Sequence, residues 1–234
     1  MRVEKQPAYI LHQRPFRDTS QILEVFTKNY GRLSLMSRGS RANKSRLKSI
    51  LQPFRALEIS WSGRGEMPTL TSAEPAAQTV AFLQGKSLAC ALYVNELVMY
   101  LIYKHDVHEN LFSQYHHTVN RLFEATRLEY ELRVFELALL DELGVLVDLS
   151  RDVITGKRLN ESAEYYFQIE RGLSEFDRSF DARNIPVLSG KSLLAIAENR
   201  LDNAEVLRDA KKLMRYLINY SLAGKSLKSR ELFR

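Results

Sequence analysis

The sequence predicts an α+β protein, with a small β-barrel at the N-terminus and a helical domain after it. Three observations point there. Apolar residues alternate with period two through roughly the first 75 positions. After Pro75 they recur at three- and four-residue steps instead. Short turn signals, Asn29-Tyr30-Gly31 and Ser62-Gly63-Arg64-Gly65, punctuate the first part.

The elements follow in order. Ala8–His12 is a short apolar run that Arg14-Pro15 closes. Gln21–Thr27 and Arg32–Arg38 flank Asn29-Tyr30-Gly31, a hairpin signal in which Gly accommodates a positive φ. Leu33 and Leu35 then face inward while Arg32, Ser34 and Arg38 face outward. Phe54–Trp61 and Met67–Ser72 flank Ser62-Gly63-Arg64-Gly65, a second hairpin. Five short strands fit an OB-fold barrel, a scaffold that binds single strands on a basic face, with an SH3-like barrel as the alternative. The domain boundaries drawn from these patterns are 1–78 and 79–234.

Leu88, Leu92, Val94, Leu97, Val98, Leu101 and Ile102 form the apolar stripe of a first helix. Residues 111–125 and 129–143 repeat the pattern, and Gly144 suits the position after the third helix. Asp202-Asn203-Ala204-Glu205 reads as a capping box opening a helix through Leu222. Residues 148–188 are polar and aperiodic, an irregular insert in the helical domain.

Charge is segregated along the 234 residues. Residues 1–80 carry 13 basic and 6 acidic side chains, residues 81–210 carry 14 and 21, and residues 211–234 carry 7 and 1. The net charge of +6 therefore combines two cationic ends with an acidic middle. Between Val25 and Leu57 eight Lys or Arg residues occur without one Asp or Glu. Clustering of this kind indicates polyanion binding, with nucleic acid the first candidate. No apolar run reaches the length of a membrane span, and no signal peptide opens the chain. One cysteine, Cys90, forms no internal disulfide and reads as a core residue in a reducing cytoplasm.

Catalytic chemistry leaves little trace. Gly-Lys-Ser occurs at 85–87, 190–192 and 224–226, but Val80, Ile185 and Asn219 stand where a phosphate-binding loop needs an earlier Gly. His105, His108, His116 and His117 read as surface or helix-end residues rather than metal ligands. Asp141 and Glu142 are adjacent and point to different sides of a helix, so they do not form a two-metal site. No enzyme activity, cofactor or metal is expected.

The basic segment Arg38-Gly39-Ser40-Arg41-Ala42-Asn43-Lys44-Ser45-Arg46-Leu47-Lys48 mixes small residues with cations. Small residues let a phosphate approach the backbone and the cations neutralise it. Tyr30, Phe54 and Trp61 are candidate stacking surfaces nearby. Gly224-Lys225-Ser226-Leu227-Lys228-Ser229-Arg230 repeats the small-plus-basic pattern.

Phe26-Thr27, Gly31-Arg32, Arg38-Gly39, Ser45-Arg46-Leu47-Lys48, Leu51-Gln52-Pro53-Phe54, Asn95-Glu96-Leu97, Arg133 with Phe135–Leu140, Leu143-Gly144 and Leu227–Arg230 occur in this order. Together they resemble the bacterial DNA repair and recombination mediator family O, RecO, over effectively the whole chain. The resemblance implies an OB-fold followed by a helical domain with a zinc-binding insert. It implies binding of single- and double-stranded DNA and annealing of complementary strands. It also implies help in loading the RecA recombinase onto DNA coated by single-strand-binding protein, with mediator proteins R and F. Docking on the acidic tail of the coating protein is implied too.

One departure matters. Family members often carry four cysteines after the Leu-Gly pair, whereas residues 148–188 contain none and Ser150 stands near the first such position. The expectation is a degenerate zinc-finger-like insert without zinc, held by packing alone.

The expected DNA contacts are Arg32, Arg38, Arg41, Lys44, Arg46, Lys48, Lys225, Lys228 and Arg230. By resemblance, Arg133 is expected to hold the partner tail beside exposed apolar surface from Leu101, Ile102 or Phe112. The expected location is cytoplasmic and nucleoid-associated. A protein-recruiting adaptor is the rival reading, and a metal-dependent nuclease a distant third.

Overall fold

A computed structural model of the chain describes residues 1–76, 82–177 and 185–233. The expected boundary at 78/79 lies outside the described residues. Five strands close into a barrel: β1 (Arg2–Phe16), β2 (Ser20–Thr27), β3 (Gly31–Ser37), β4 (Leu57–Ser62) and β5 (Thr69–Pro75), in the order β1-β2-β3-β5-β4. This is the OB order, with β1 shared between β2 and β4.

Strand β1 is far longer than the Ala8–His12 run. Register shifts between Val3 and Gln6 and between Ile10 and His12 bend it so that one strand serves both edges of the closure. Pro15 does not stop it. Beyond Ala8 the strand pairs with β2 alone, so Pro15 lacks an N–H only where no second ladder needs one. Val3, Ala8, Ile10, Leu23, Val25, Leu33, Leu35, Leu57, Ile59, Trp61 and Leu70 fill the barrel, the period of two read directly as inside and outside. A four-residue helix, α1 (Leu47–Ile50), plugs it with Ile50.

Two compact units divide the chain: residues 1–126 with 227–234, and residues 127–226. Helices α2 (Gly85–Leu101) and α3 (Glu109–Glu124) therefore belong with the barrel. Alternation leaves Tyr9 and Phe26 on the outer wall, where Phe112 and Tyr115 of α3 meet them edge-on or tilted at 5.0–6.0 Å between ring centroids. The bulge in β1 frees the carbonyl of Leu11, and Asn95 of α2 donates to it at 2.9 Å while accepting from the Tyr115 hydroxyl at 2.6 Å. A buried amide satisfied at both ends fixes the helix on the barrel. Cys90 is buried on α2.

The second unit contains α4 (Leu128–Glu142), α5 (Gly190–Ala197) and α6 (Ala204–Ser221). Asn203 caps α6 by accepting from the Val206 amide, and Gly144 follows α4 at φ +67. The segment expected to be irregular contains a three-stranded sheet, β6 (Glu164–Gln168), β7 (Gly172–Glu175) and β8 (Val187–Ser189), in the order β7-β6-β8.

Nor is that insert held by packing alone. The buried carboxylate of Asp152 accepts from the amides of Ile154 (2.9 Å), Thr155 (2.7 Å) and Glu175 (2.9 Å) and from the Thr155 hydroxyl (3.0 Å). Asp148 similarly accepts from the amide and hydroxyl of Ser150. Burial opposes ionisation of Asp152, yet these donors outweigh it and hold its carboxyl below the usual range. A single carboxylate thus ties the 150–159 turn to β7.

Candidate nucleic-acid interface

The basic segment forms a chain of tight turns after β3. The amides of Ala42, Ser45 and Lys48 donate to the carbonyls of Gly39, Ala42 and Ser45, and the buried Ser40 hydroxyl donates to Ser37. Gly39 sits at φ +65 with open space where a Cβ would stand. Short turns keep the side chains outside, so Arg38, Arg41, Lys44, Arg46 and Lys48 are all exposed. Among the described residues, ion pairs of this unit run elsewhere, through pairs such as Arg2–Glu4, Arg32–Glu24, Lys104–Glu24 and Arg121–Glu124.

This loop does not stand alone. The Arg41 amide donates to Thr19 at 2.8 Å, and its guanidinium reaches the carbonyls of Arg17 (3.3 Å) and Asp18 (3.5 Å). Arg41 thereby fastens the basic loop to the β1–β2 turn. Arg14 and Arg17, exposed at that turn, join the same end of the barrel. Sequence reading missed them because the contact depends on strand pairing; the pairing of Ile22 with both Arg14 and Met36 is the signal that would have found it.

Arg32, unlike the loop cations, is half-buried and bonded within the protein. Its Nε donates to the Ile102 carbonyl at 3.0 Å, its Nη1 lies 3.3 Å from Glu24, and Lys104 bonds Ser34 beside the same carboxylate. The half-buried guanidinium serves to neutralise Glu24 and to seat the 102–106 segment along β3, where Lys104 bridges Arg32. Gly31 is obligatory there, since any Cβ would collide with the Asp106 carbonyl.

Of the expected stacking aromatics, Trp61 and Phe54 are buried and Tyr30 packs partly buried against the barrel core. Trp61 is 3% exposed and meets Tyr30 edge-on at 5.1 Å. In the tail, Lys225 and Lys228 are exposed and Arg230 is half-buried. Residues Lys228–Phe233 form a 3-10 turn, anchored where Glu96 of α2 accepts from the amides of Lys228 and Ser229.

Comparison with known sequences settles the family. Residues 1–79 match the family model described as recombination protein O N terminal, and residues 83–231 match recombination protein O C terminal. The chain belongs to the recombination protein O family. The DNA repair protein RecO of Polynucleobacter necessarius subsp. necessarius is 39% identical over 99% of this chain and 96% of its own. That of Nitrosococcus oceani is 41% identical over 99% and 93%, and that of Azoarcus sp. strain BH72 40% over 99% and 95%.

In this family member Arg133 is not poised at an open surface. It is 4% exposed, and its guanidinium grips the 1%-exposed Glu136 by two contacts of 2.6 Å, with Glu129 at 3.8 Å. A carboxylate buried this deeply needs a counterion, and Arg133 supplies the fork. Leu101, Ile102 and Phe112 are buried as well, so they present no exposed apolar surface.

Other chemistry stays quiet. Among the described residues no three His, Cys, Asp or Glu side chains gather to hold a metal ion. His108 pairs with Asp106, and His116 Nδ1 lies 2.6 Å from the Tyr9 hydroxyl. The Gly-Lys-Ser tripeptides at 85 and 190 open α2 and α5, and Gly190 is needed because a Cβ would strike the Asn160 carbonyl. No helix is long and apolar enough to cross a membrane, among the described residues.

Proposed function

We propose that this chain is a non-enzymatic recombination mediator that binds single- and double-stranded DNA and anneals complementary strands. In this reading it also helps load RecA onto DNA coated by single-strand-binding protein, acting with mediator proteins R and F at the nucleoid. One observation carries the DNA-binding part: Arg38, Lys44, Arg46 and Lys48 project from a loop that is free of acids and pinned to a second basic turn. Cations held off the barrel by short turns reach phosphates without reading bases. They also screen the repulsion between two strands brought together, which annealing requires. Docking of the coating protein's acidic tail belongs to the same reading, but with Arg133 committed to Glu136 it calls for a different, exposed cation.

Neutralising Arg38, Lys44, Arg46 and Lys48 together tests this. If all four touch single-strand phosphates, the slope of log affinity against log salt falls by roughly three units, at about 0.7 per contact. Annealing of complementary strands slows in parallel. An unchanged slope removes the loop from the binding surface.

A further inference from the structure

The β1–β2 turn carries a feature that phosphate neutralisation does not need. Arg17 lays its guanidinium over the ring of Phe16, with its central carbon 5.3 Å from the ring centroid. Arg17 sits at φ +53, a left-handed backbone that non-glycine residues seldom adopt. The strained turn is then locked, because Arg41 holds the carbonyls of Arg17 and Asp18 and the Arg41 amide holds Thr19. Arg41 acts here as a positioning residue, its guanidinium spent on main-chain acceptors.

The surroundings are suited to a nucleic-acid strand. Arg14 lies two residues before Phe16 on β1 and therefore on the same face of the strand. Arg14, Ile22 and Met36 stand opposite one another across β1, β2 and β3, and Arg38 follows directly on the end of β3 at Ser37. Phe16 is half-buried and Arg14, Arg17 and Arg38 are exposed, with Asp18 the one acid in the turn. A planar cation held over an aromatic ring, with Arg14 on the same strand face, offers a flat surface beside phosphate-binding charge.

We propose that Phe16 and Arg17 form a stacking platform for one unstacked base of single-stranded DNA, on the outer face of the Arg17 guanidinium. Duplex DNA, whose bases are already stacked, gains nothing from it, so the platform gives preference for single strands. This inference rests on the DNA-binding reading above and goes beyond it by assigning a strand-discriminating residue pair.

The experiment uses the full chain and compares Arg17→Lys and Phe16→Leu with the unaltered protein on a deoxythymidine oligonucleotide, a blunt duplex, and an oligonucleotide carrying abasic sites. Arg17→Lys keeps the charge and removes the plane; Phe16→Leu keeps apolar bulk and removes the ring. Both variants are expected to weaken single-strand binding roughly fivefold or more, the low end of one base–aromatic stack. Duplex affinity and the salt slope stay as they were, and abasic DNA no longer distinguishes the variants from the unaltered protein. Photocrosslinking of an iodouracil strand to the unaltered chain should mark the peptide around Phe16 and Arg17, a readout independent of variant folding. Equal losses on duplex, no loss for Arg17→Lys, or a crosslink elsewhere overturns the platform. Each of these leaves the four-cation test free to succeed or fail by itself.

Discussion

Glu96 on α2 closes over Ser229: its Oε2 accepts from the Ser229 amide at 2.9 Å and from the Ser229 hydroxyl at 2.5 Å, while Oε1 takes the Lys228 amide at 2.9 Å. One carboxylate thus satisfies three donors at the start of the 3-10 turn, more than 130 residues away in sequence. Leu227 is buried beside it, and Phe233 meets Tyr93 of α2 edge-on at 6.2 Å.

Replacing Glu96 by Ala should cost about 1–2 kcal/mol, the range for a lost cap carrying charge-assisted bonds. The loss should be local. Hydrogen exchange at Lys228–Phe233 should accelerate while the barrel strands keep their protection. Unchanged exchange in the tail would show that Leu227 and Phe233 alone hold it.

Arg133→Ala should behave as a core lesion. It strands Glu136 in an apolar setting and should destabilise by roughly 3–5 kcal/mol, whereas Arg133→Met with Glu136→Leu should be close to neutral. Chemical denaturation of the single and double variants separates this from a surface role, which would leave stability alone and tie any loss to partner binding.

Asp152→Ala should loosen the insert by about 1–3 kcal/mol, since buried donors lose their acceptor. The pH dependence has a definite sign. With its folded pKa held below the ordinary carboxylate value, Asp152 stabilises fully above that value and loses its contribution as pH falls through the folded one. Melting curves between neutral and acid pH should therefore converge for the two proteins at the acid end. Parallel curves would assign the acid sensitivity to other carboxylates.

Gly31→Ala and Gly39→Ala form a matched pair, because both glycines have φ near +65. Gly39 faces open space and should lose only about 1–2 kcal/mol of backbone preference. Gly31 must in addition displace the 102–106 segment, so its melting temperature should fall clearly further. Equal losses would mean that this segment yields without cost.

The parts of the fold that repeat locally were open to reading from the sequence. Alternation at Leu33 and Leu35, the Asn-Tyr-Gly turn before β3, and the stripe from Leu88 to Ile102 all appear as elements. The helix opened by Asp202–Glu205 appears too, although its cap is Asn203, accepting from the Val206 amide, and not a box closed by Glu205. What escaped was set by which side chains the fold buries against one another. Arg32 and Arg133 look like ordinary surface cations until Glu24 and Glu136 are placed beside them. Trp61 and Tyr30 resemble a stacking pair but pack on each other. The β6–β8 sheet is short and has strands of five residues or fewer, too brief for a period to emerge. Arg17 joined the basic end only through the pairing of β1 with β2.

The return of residues 227–234 to the first unit imposes an order on synthesis. One hundred residues, 127–226, separate the two pieces of that unit. At about 5–20 residues per second a ribosome needs roughly 5–20 s to make them. During that interval α2 has emerged with the Glu96 carboxylate lacking its Ser229 partner and with Tyr93 lacking Phe233. The first unit begins early and is sealed late, so its final stability is withheld until the second unit has been made.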